Sequence, residues 1–191
     1  MKIAVIGNGN IGSGLTAVLS KTNHDVAAYG RNDDIAAAVA AAEVVILATP
    51  YGAAADLAKK ADFSGKLVID VSNPVKADFS GLLVGLDSSA AEELAAALPG
   101  ASVVKAFNTI FAQHYGTDLK LGDQPIQTFV ASDNEDARSK VMSLATEIGL
   151  DAVDAGPLAN ARYLEPLGFM NIQFGYVLGR GTQIAPRWQT A

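Results

Sequence analysis

Short apolar runs alternate along the chain with longer stretches whose apolar residues recur at helical spacing. Most of the short runs lack strict in/out alternation, which is typical of parallel strands covered on both faces. We interpret seven runs as strands: Ile3–Ile6, Val26–Tyr29, Val44–Ala48, Leu67–Val71, Val103–Phe107, Ile126–Ala131 and Ala152–Asp154. Their alternation with helices predicts an α/β fold of the Rossmann type, a doubly wound and mostly parallel sheet.

Two helical stripes stand out between these runs. The first follows the first strand and consists of Ile11, Leu15, Val18 and Leu19. The second consists of Ala137, Val141, Leu144, Ala145 and Ile148. This second stripe has a cap at Asp133 or Asn134 and ends at Gly149, both of which are common helix boundary signals.

The C-terminal part of the chain predicts a helix from Ala159 to about Leu178, interrupted at Pro166. Its apolar residues leave little polar face, so the helix should be buried or shared with a second copy. We expect a homodimer with Phe169, Met170 and Phe174 at its centre; the alternative is a helix covered by its own sheet. Residues 1–191 then form a single Rossmann-type domain, with 159–180 as a C-terminal helical segment.

Composition narrows the functional classes. Half of the 191 residues are hydrophobic, 18% are charged and the net charge is -6, so neither nucleic acid nor an anionic membrane is an expected partner. The chain has no cysteine, which excludes disulfides, thiolate metal sites and cysteine nucleophiles. Without a secretory leader or an apolar run of membrane-spanning length, a cytoplasmic protein is the expectation.

The opening segment MKIAVIGNGNIGSG places three glycines between the first strand and the first helical stripe. In a dinucleotide-binding turn, Gly7 permits the tight turn, Gly9 lets the backbone approach a pyrophosphate, and Gly12 lets the helix pack against the strand. The amides at the helix start would face the phosphates. The alternative is a strand–helix turn that binds nothing.

The end of the second strand bears on the choice of cofactor. An NAD site has an acid there for the ribose hydroxyls, whereas the segment VAAYGRNDD has Gly30 followed by Arg31. Arginine can pair with the 2′-phosphate of NADP in a forked, charge-assisted geometry. The sequence therefore favours NADP, unless Arg31 is an ordinary surface residue.

Six motifs occur in this order over nearly the whole chain: IGNGNIG, GR after the second strand, LATPYGAA, VSNPV, VVKAFNT and DAGPLANARYLEPL. Together they resemble the NADPH-dependent coenzyme F-420 reductases, also called F-420-dependent NADP oxidoreductases. The cofactor domain is also similar to that of the metalloreductases with membrane-bound haem. The resemblance implies an NADP cofactor, a flavin or deazaflavin such as coenzyme F-420 as co-substrate, and a homodimer.

The resemblance also implies cofactor contacts at particular positions. The pyrophosphate would be lined by Asn8, Gly9, Asn10 and Ile11, and the adenosine phosphate held by Gly30, Arg31 and Asn32. The adenine-side ribose and bridge would be flanked by Thr49, Pro50 and Ala54. The nicotinamide would be surrounded by Asn73, Pro74, Phe107, Asn108, Gly156, Pro157 and Leu158. Archaeal members tend to have Ser at Gly30 and a Lys near Ile35, and they are longer between Val75 and Ala90.

Hydride transfer to a flavin-like ring needs stacking and orientation more than a protein acid or base, so the catalytic residues stay unassigned. His24 is interpreted as a turn residue, and His114 as a surface or packing residue or a proton donor. Asn73 and Asn108 can serve either ligand or turn hydrogen bonds, and Tyr51 either stacking or packing.

Arg162 and Glu165 are expected to pair with each other or across a dimer. No pattern of metal ligands is present. The sequence favours an oxidoreductase that transfers hydride between NADPH and a small-molecule redox acceptor, a flavin or deazaflavin. The alternatives are a small imine or carbonyl reductase and a non-enzymatic NADP-binding sensor or electron-transfer subunit.

Overall fold

A computed structural model describes residues 1–189 of the chain. The elements of its first half are β1 (Lys2–Ile6), α1 (Asn10–Leu19), β2 (Asp25–Tyr29), α2 (Ile35–Ala41), β3 (Val44–Leu47), α3 (Ala54–Lys60) and β4 (Leu67–Asp70). They are followed by α4 (Ala90–Ala97), β5 (Ser102–Lys105), β6 (Lys120–Leu121), β7 (Gln124–Pro125), β8 (Gln127–Val130), α5 (Glu135–Glu147), β9 (Asp151–Asp154) and α6 (Ala161–Ile172). Three short helical turns complete the described part: Ala112–Gly116, Leu158–Asn160 and Gln173–Val177.

The central sheet has five parallel strands in the order β2-β1-β3-β4-β5. The chain crosses from one side of β1 to the other between β2 and β3, so the topological switch lies between β1 and β3. Ligands of open α/β sheets bind outside the carboxyl ends of the strands at such a switch. The predicted Rossmann-type fold is confirmed, including the positions of its first five strands.

Helices cover both faces of this sheet. One face packs against α1 and α5, through residues such as Leu15 and Leu144. The other face packs against α2, α3 and α4, through Val39, Leu57 and Leu94. With apolar partners on both sides, the strands can be hydrophobic throughout, which is why their sequences lack alternation.

The sixth and seventh predicted strands, β8 and β9, form a separate parallel pair beside the main sheet. A single antiparallel bridge between Lys105 and Ala131 joins this pair to β5. The short hairpin β6–β7 precedes it and was not among the predicted strands.

The predicted interruption of the C-terminal helix at Pro166 is wrong, because α6 runs through this residue and continues into the π-helical turn Gln173–Val177. Proline removes one amide donor from the helix. Buried contacts of Leu164, Glu165 and Gly168 on either side of Pro166 hold the helix in place. Among residues 1–189, no helix is long and apolar enough to cross a membrane.

Candidate functional site

A cleft of about 860 Å³ runs along the carboxyl ends of the five parallel strands. The loops that follow these strands form its walls, and α6 with the π-helical turn closes one end. Twelve residues expected from the sequence line it: Gly7, Asn8, Gly9, Asn10, Ile11, Gly30, Arg31, Thr49, Pro50, Asn73, Phe107 and Asn108. The topology therefore brings these residues together, although Gly7 and Asn108 are 101 positions apart in the chain.

The three glycines of the first turn have different surroundings. Gly7 has a φ of +112°, and a Cβ there would collide with the Ala48 carbonyl. A Cβ on Gly12 would collide with the carbonyl of Gly7. Gly7 and Gly12 are thus required by close packing, as the motif predicts. By contrast, a Cβ on Gly9 would meet nothing within 4 Å, so this glycine faces open space in the cleft.

The N-terminus of α1 is suited to an anion. Its N-cap is Gly9, no side chain caps the helix, and no acidic residue lies in its first turn. First-turn amides of a helix lack partners within the helix, and the helix dipole adds partial positive charge at this end. Open space above Gly9 and uncapped amides beside it fit a phosphate group.

The end of β2 forms the next part of the cleft wall. Gly30 packs closely on the glycine turn, since a Cβ there would lie 2.7 Å from Asn8 Nδ2. Its amide donates to Asp33 Oδ2 at 2.6 Å, so this nearby carboxylate is engaged by the main chain. Arg31 lines the cleft, whereas Asp33 is outside its lining.

The sequence analysis missed one cation at this end of the cleft. Lys60 lines the cleft together with Ala53, Asp56 and Leu57, which lie on one face of α3 or just before it. Asp56 is within 3.6 Å of Lys59, which neutralises part of its charge. The spacing of residues 53, 57 and 60 is helical, so placing α3 against the cleft would have identified Lys60.

At the opposite end of the cleft, Asn73 and Asn108 join the rims of β4 and β5. Asn73 Nδ2 donates to the Asn108 carbonyl at 2.7 Å, and Asn108 Nδ2 donates to Asn73 Oδ1 at 2.8 Å. Asn108 Nδ2 also donates to the Leu164 carbonyl of α6 at 2.8 Å. Gly168 fits against this pair, because a Cβ there would approach Asn73 Oδ1 to 2.6 Å. Both amide groups therefore have structural roles, which hold α6 against the sheet.

A buried cluster of charges lies next to this end of the cleft. Lys105 Nζ donates to Asp70 Oδ2 at 2.7 Å, to Glu165 Oε1 at 2.8 Å and to the Ser72 carbonyl at 2.6 Å. Its side chain has no solvent exposure. Glu165 also accepts from the amides of Ala90 and Ala91 at the start of α4. Burial raises the pKa of Glu165, while Lys105 acts in the opposite direction.

The expected pairing of Arg162 with Glu165 is wrong within this chain. Arg162 instead forms a forked contact with Glu92 of α4, with Nη2 at 2.7 Å from Oε1. Glu165 points into the protein and pairs with Lys105. Three positions of separation allow two helical residues to meet, but packing against α4 and β5 separates their side chains here.

Seven expected contact residues lie outside the cleft lining: Gly12, Asn32, Ala54, Pro74, Gly156, Pro157 and Leu158. Ala54 borders a smaller cavity of about 190 Å³ behind Thr49 and Pro50. Leu158 is buried in the core beside α4, and its amide donates to Asp133 Oδ1 at 2.9 Å. The segment 156–158 leaves β9 in the separate strand pair, which explains why the structure places it away from the cleft.

Of the residues that the sequence offered for proton transfer or stacking, only Tyr51 lines the cleft, and the two histidines lie outside its lining. His114 is fully buried outside the cleft lining, with Nε2 3.3 Å from the Ile184 carbonyl. His24 Nε2 lies 2.9 Å from Glu147 Oε2. Tyr51 lines the cleft and donates to Glu93 Oε2 at 2.7 Å, and this hydrogen bond together with partial burial raises the pKa of Tyr51 to about 12. Phe111 and Tyr176 form an edge-to-face pair 5.3 Å apart at the α6 end.

A parallel sheet of this order, with an uncapped helix at a glycine turn on its switch point, defines a dinucleotide-binding Rossmann domain. Residues 2–78 match the family model of the NAD binding domain of 6-phosphogluconate dehydrogenase. The chain is 29% identical over 181 residues to the metalloreductase STEAP3 of Rattus norvegicus. That match covers 87% of this chain but 36% of the relative, so the chain spans about a third of its length.

Two solved structures share the fold over most of the chain. One is a proposed F-420-dependent NADP reductase from Arthrobacter sp. FB24, with a TM-score of 0.87, 24% identity and full coverage of both chains. The other is a reductive aminase from Aspergillus terreus in complex with NADPH and ethyl levulinate. It has a TM-score of 0.67 and 16% identity, covering 93% of this chain and 62% of that one. The Arthrobacter structure and the rat relative agree with the resemblance drawn from the motifs, and the two solved structures show the shared fold.

Proposed function

We propose that this chain is an NADPH-dependent oxidoreductase whose acceptor is a flat flavin-like or deazaflavin-like ring such as coenzyme F-420. One observation carries the proposal: a single cleft joins an uncapped helix N-terminus and Arg31 at one end to an apolar, aromatic pocket at the other. Its volume of about 860 Å³ lies within the range of cofactor sites.

The first end of the cleft fits a dinucleotide phosphate. The open side of Gly9 leaves room for the pyrophosphate, and the first-turn amides of α1 would donate to it. Arg31 would pair with the 2′-phosphate, with no competing acid at the end of β2. Since Asp33 is engaged by the Gly30 amide and lies outside the lining, this end favours NADP over NAD.

The second end fits two stacked rings. Apolar contact area surrounds the polar Asn73–Asn108 pair and comes from Phe107, Ile110, Phe111, Ile172 and Tyr176. Apolar walls exclude water and hold rings in a defined orientation. NADPH, when bound, supplies the hydride; the chain contributes binding, alignment and exclusion of water.

The named relatives support the same assignment. The Arthrobacter neighbour is described as a proposed F-420-dependent NADP reductase, and the rat relative as a metalloreductase. The Aspergillus neighbour was solved with NADPH. An imine or carbonyl reductase would need a proton donor in the pocket; His114 lies outside its lining, and the hydroxyl of Tyr51, which does line it, already donates to Glu93. We therefore favour transfer to a ring that takes its proton from solvent.

Steady-state NADPH oxidation with a panel of acceptors tests this proposal. We expect turnover with FMN, FAD or coenzyme F-420 to exceed turnover with simple imines and ketones at equal concentration. The control is NADH in place of NADPH with the same acceptors. NADPH binding without turnover of any acceptor would instead favour a non-enzymatic sensor, and faster turnover of an imine would favour an imine reductase.

We also propose that the protein is a cytoplasmic homodimer. Met170, Tyr176, Val177 and Leu178 are exposed on α6 and the residues after it, and together they form an apolar surface. One residue of the expected interface, Phe174, already has a contact within the chain, because the Arg180 guanidinium carbon lies 4.9 Å from the centroid of its ring. Light scattering at low micromolar concentration should give twice the monomer mass of 19.7 kDa. A monomer mass with and without NADPH would contradict the dimer.

A further inference from the structure

Two consecutive side chains in the cleft carry polar atoms whose hydrogen-bonding capacity is unused. Asn108 Oδ1 and Thr109 Oγ1 are buried, and neither has a hydrogen-bond partner among residues 1–189. Asn108 is 7% exposed and Thr109 is 2% exposed. Both residues line the cleft at the end next to α6. Buried polar atoms nearly always have partners, so two adjacent exceptions in a cleft indicate a ligand.

The hydrogen-bonding chemistry of the two atoms defines the ligand group that could pair with both of them. The amide nitrogen of Asn108 already donates to Asn73 Oδ1 and to the Leu164 carbonyl, which fixes Oδ1 as the acceptor. The Thr109 hydroxyl can rotate and can donate. An acceptor beside a donor is complementary to a primary carboxamide, which has an NH₂ donor and a carbonyl acceptor.

The backbone around these atoms is held in place from several sides. Phe107 has a φ of +63°, a left-handed conformation that is rare for a residue other than glycine. Its amide donates to Thr128 Oγ1 at 3.0 Å, and the Thr109 carbonyl accepts from Asn171 Nδ2 at 3.1 Å. Strained backbone of this kind persists where the surrounding structure fixes it, and it is frequent at ligand sites.

We propose that Asn108 Oδ1 and Thr109 Oγ1 form a carboxamide-binding subsite that holds the nicotinamide ring of the cofactor by its amide group. The inference rests on the proposed function and names a residue, Thr109, that the sequence analysis did not select. In this arrangement the two hydrogen bonds limit rotation of the ring and present it to the acceptor. The apolar side chains of Phe107 and Ile110 would confine the plane of the ring, and the two hydrogen bonds would set its rotation within that plane.

The variant Thr109→Val tests the subsite by thermal unfolding and calorimetry. Because the hydroxyl is unpartnered without ligand, its replacement by a methyl group should leave the melting temperature of the free protein unchanged or higher. Affinity for NADP⁺ should fall about 3- to 10-fold, as expected for one lost hydrogen bond. Affinity for adenosine 2′,5′-bisphosphate, which lacks the nicotinamide, should stay unchanged.

Two matched variants accompany this test. Tyr115→Phe removes another buried hydroxyl without a partner among the described residues, but one outside the cleft lining, so NADP⁺ affinity should not change. Thr109→Ser keeps the hydroxyl and should retain most of the affinity. Unchanged NADP⁺ binding in Thr109→Val would overturn the subsite.

A second measurement uses the unaltered protein and so does not depend on folding of a variant. In the nicotinic acid analogue of NADP⁺ a carboxylate replaces the carboxamide, which removes the donor to Asn108 Oδ1 and adds a negative charge. We expect this analogue to bind at least about 10-fold more weakly than NADP⁺. Equal binding would overturn the subsite, whereas failure of NADP⁺ itself to bind would overturn the proposed function and the subsite with it.

Discussion

The two ends of the cleft are built in different ways. At the glycine turn and the end of β2, the expected ligand contacts are main-chain amides and the exposed Arg31, all within the first third of the chain. At the α6 end, buried side chains from α6, from β4 and β5, and from the residues just after these strands hold one another across 35 to 60 positions. Substitutions at the first end should therefore change binding, and substitutions of these interlocked side chains at the second end should change folding as well.

The largest effect is expected for Lys105→Met, which removes the cation from the buried cluster. Asp70 and Glu165 would remain buried without it. Breaking a buried ion pair in this way costs about 3–5 kcal/mol. Urea unfolding followed by circular dichroism measures the loss. The control is Lys59→Met, at an exposed lysine that should change stability little. Equal stability of both variants would show that the α6 end does not depend on this cluster.

Arg31→Ala should affect binding without affecting folding. A hydrogen bond to a charged group contributes about 1.5–3 kcal/mol, so NADPH should bind at least ~10-fold more tightly than NADH in the unaltered protein. The variant should lose most of this preference. Calorimetry with both cofactors measures the ratio. Lys60→Gln is a useful companion, because Lys60 also lines this end. Equal affinities in the unaltered protein would reject the NADP assignment.

Two glycine substitutions compare the ends directly. A Cβ at Gly168 would lie 2.6 Å from Asn73 Oδ1, so Gly168→Ala should destabilise the fold by about 1–3 kcal/mol through overpacking. A Cβ at Gly9 would meet no atom within 4 Å, so Gly9→Ala should keep its stability. The same variant should lower the affinity for NADPH and for NADH alike, since the methyl group would occupy the space proposed for the pyrophosphate. Normal NADPH binding by Gly9→Ala would show that the turn is only structural.

The smallest effect is expected at Tyr51, which lies between the two ends. Its pKa is raised from 10.0 to about 12 in the folded protein, mainly by the hydrogen bond to Glu93. Because the pKa is raised on folding, the stabilisation of the folded protein by this hydrogen bond is complete below pH 10. It is lost as the pH rises towards 12. Stability of the unaltered protein should therefore fall more steeply above pH 10 than that of Tyr51→Phe. Parallel slopes would exclude a contribution from this hydrogen bond.

The sequence is informative where structure is local. The strands β1 to β5 could be predicted because each is a short apolar run, and the glycine turn because its residues are adjacent. The cluster of Lys105, Asp70 and Glu165 could not, since its members are 35 and 60 positions apart and meet only after the sheet and α6 pack. The positions of Gly156 to Leu158 were missed for a related reason. They follow β9, which pairs with β8 instead of extending the central sheet.

The close contact between Asn8 and Gly30 has a consequence for redesign of the cofactor preference. An acidic side chain at position 30 would favour NAD, but its Cβ would lie 2.7 Å from Asn8 Nδ2. A side chain at position 30 must therefore displace the exposed Asn8 side chain, so the effects of substitutions at positions 8 and 30 depend on each other. A double-mutant cycle should show non-additivity for this pair, so a library for the switch should vary positions 8 and 30 together.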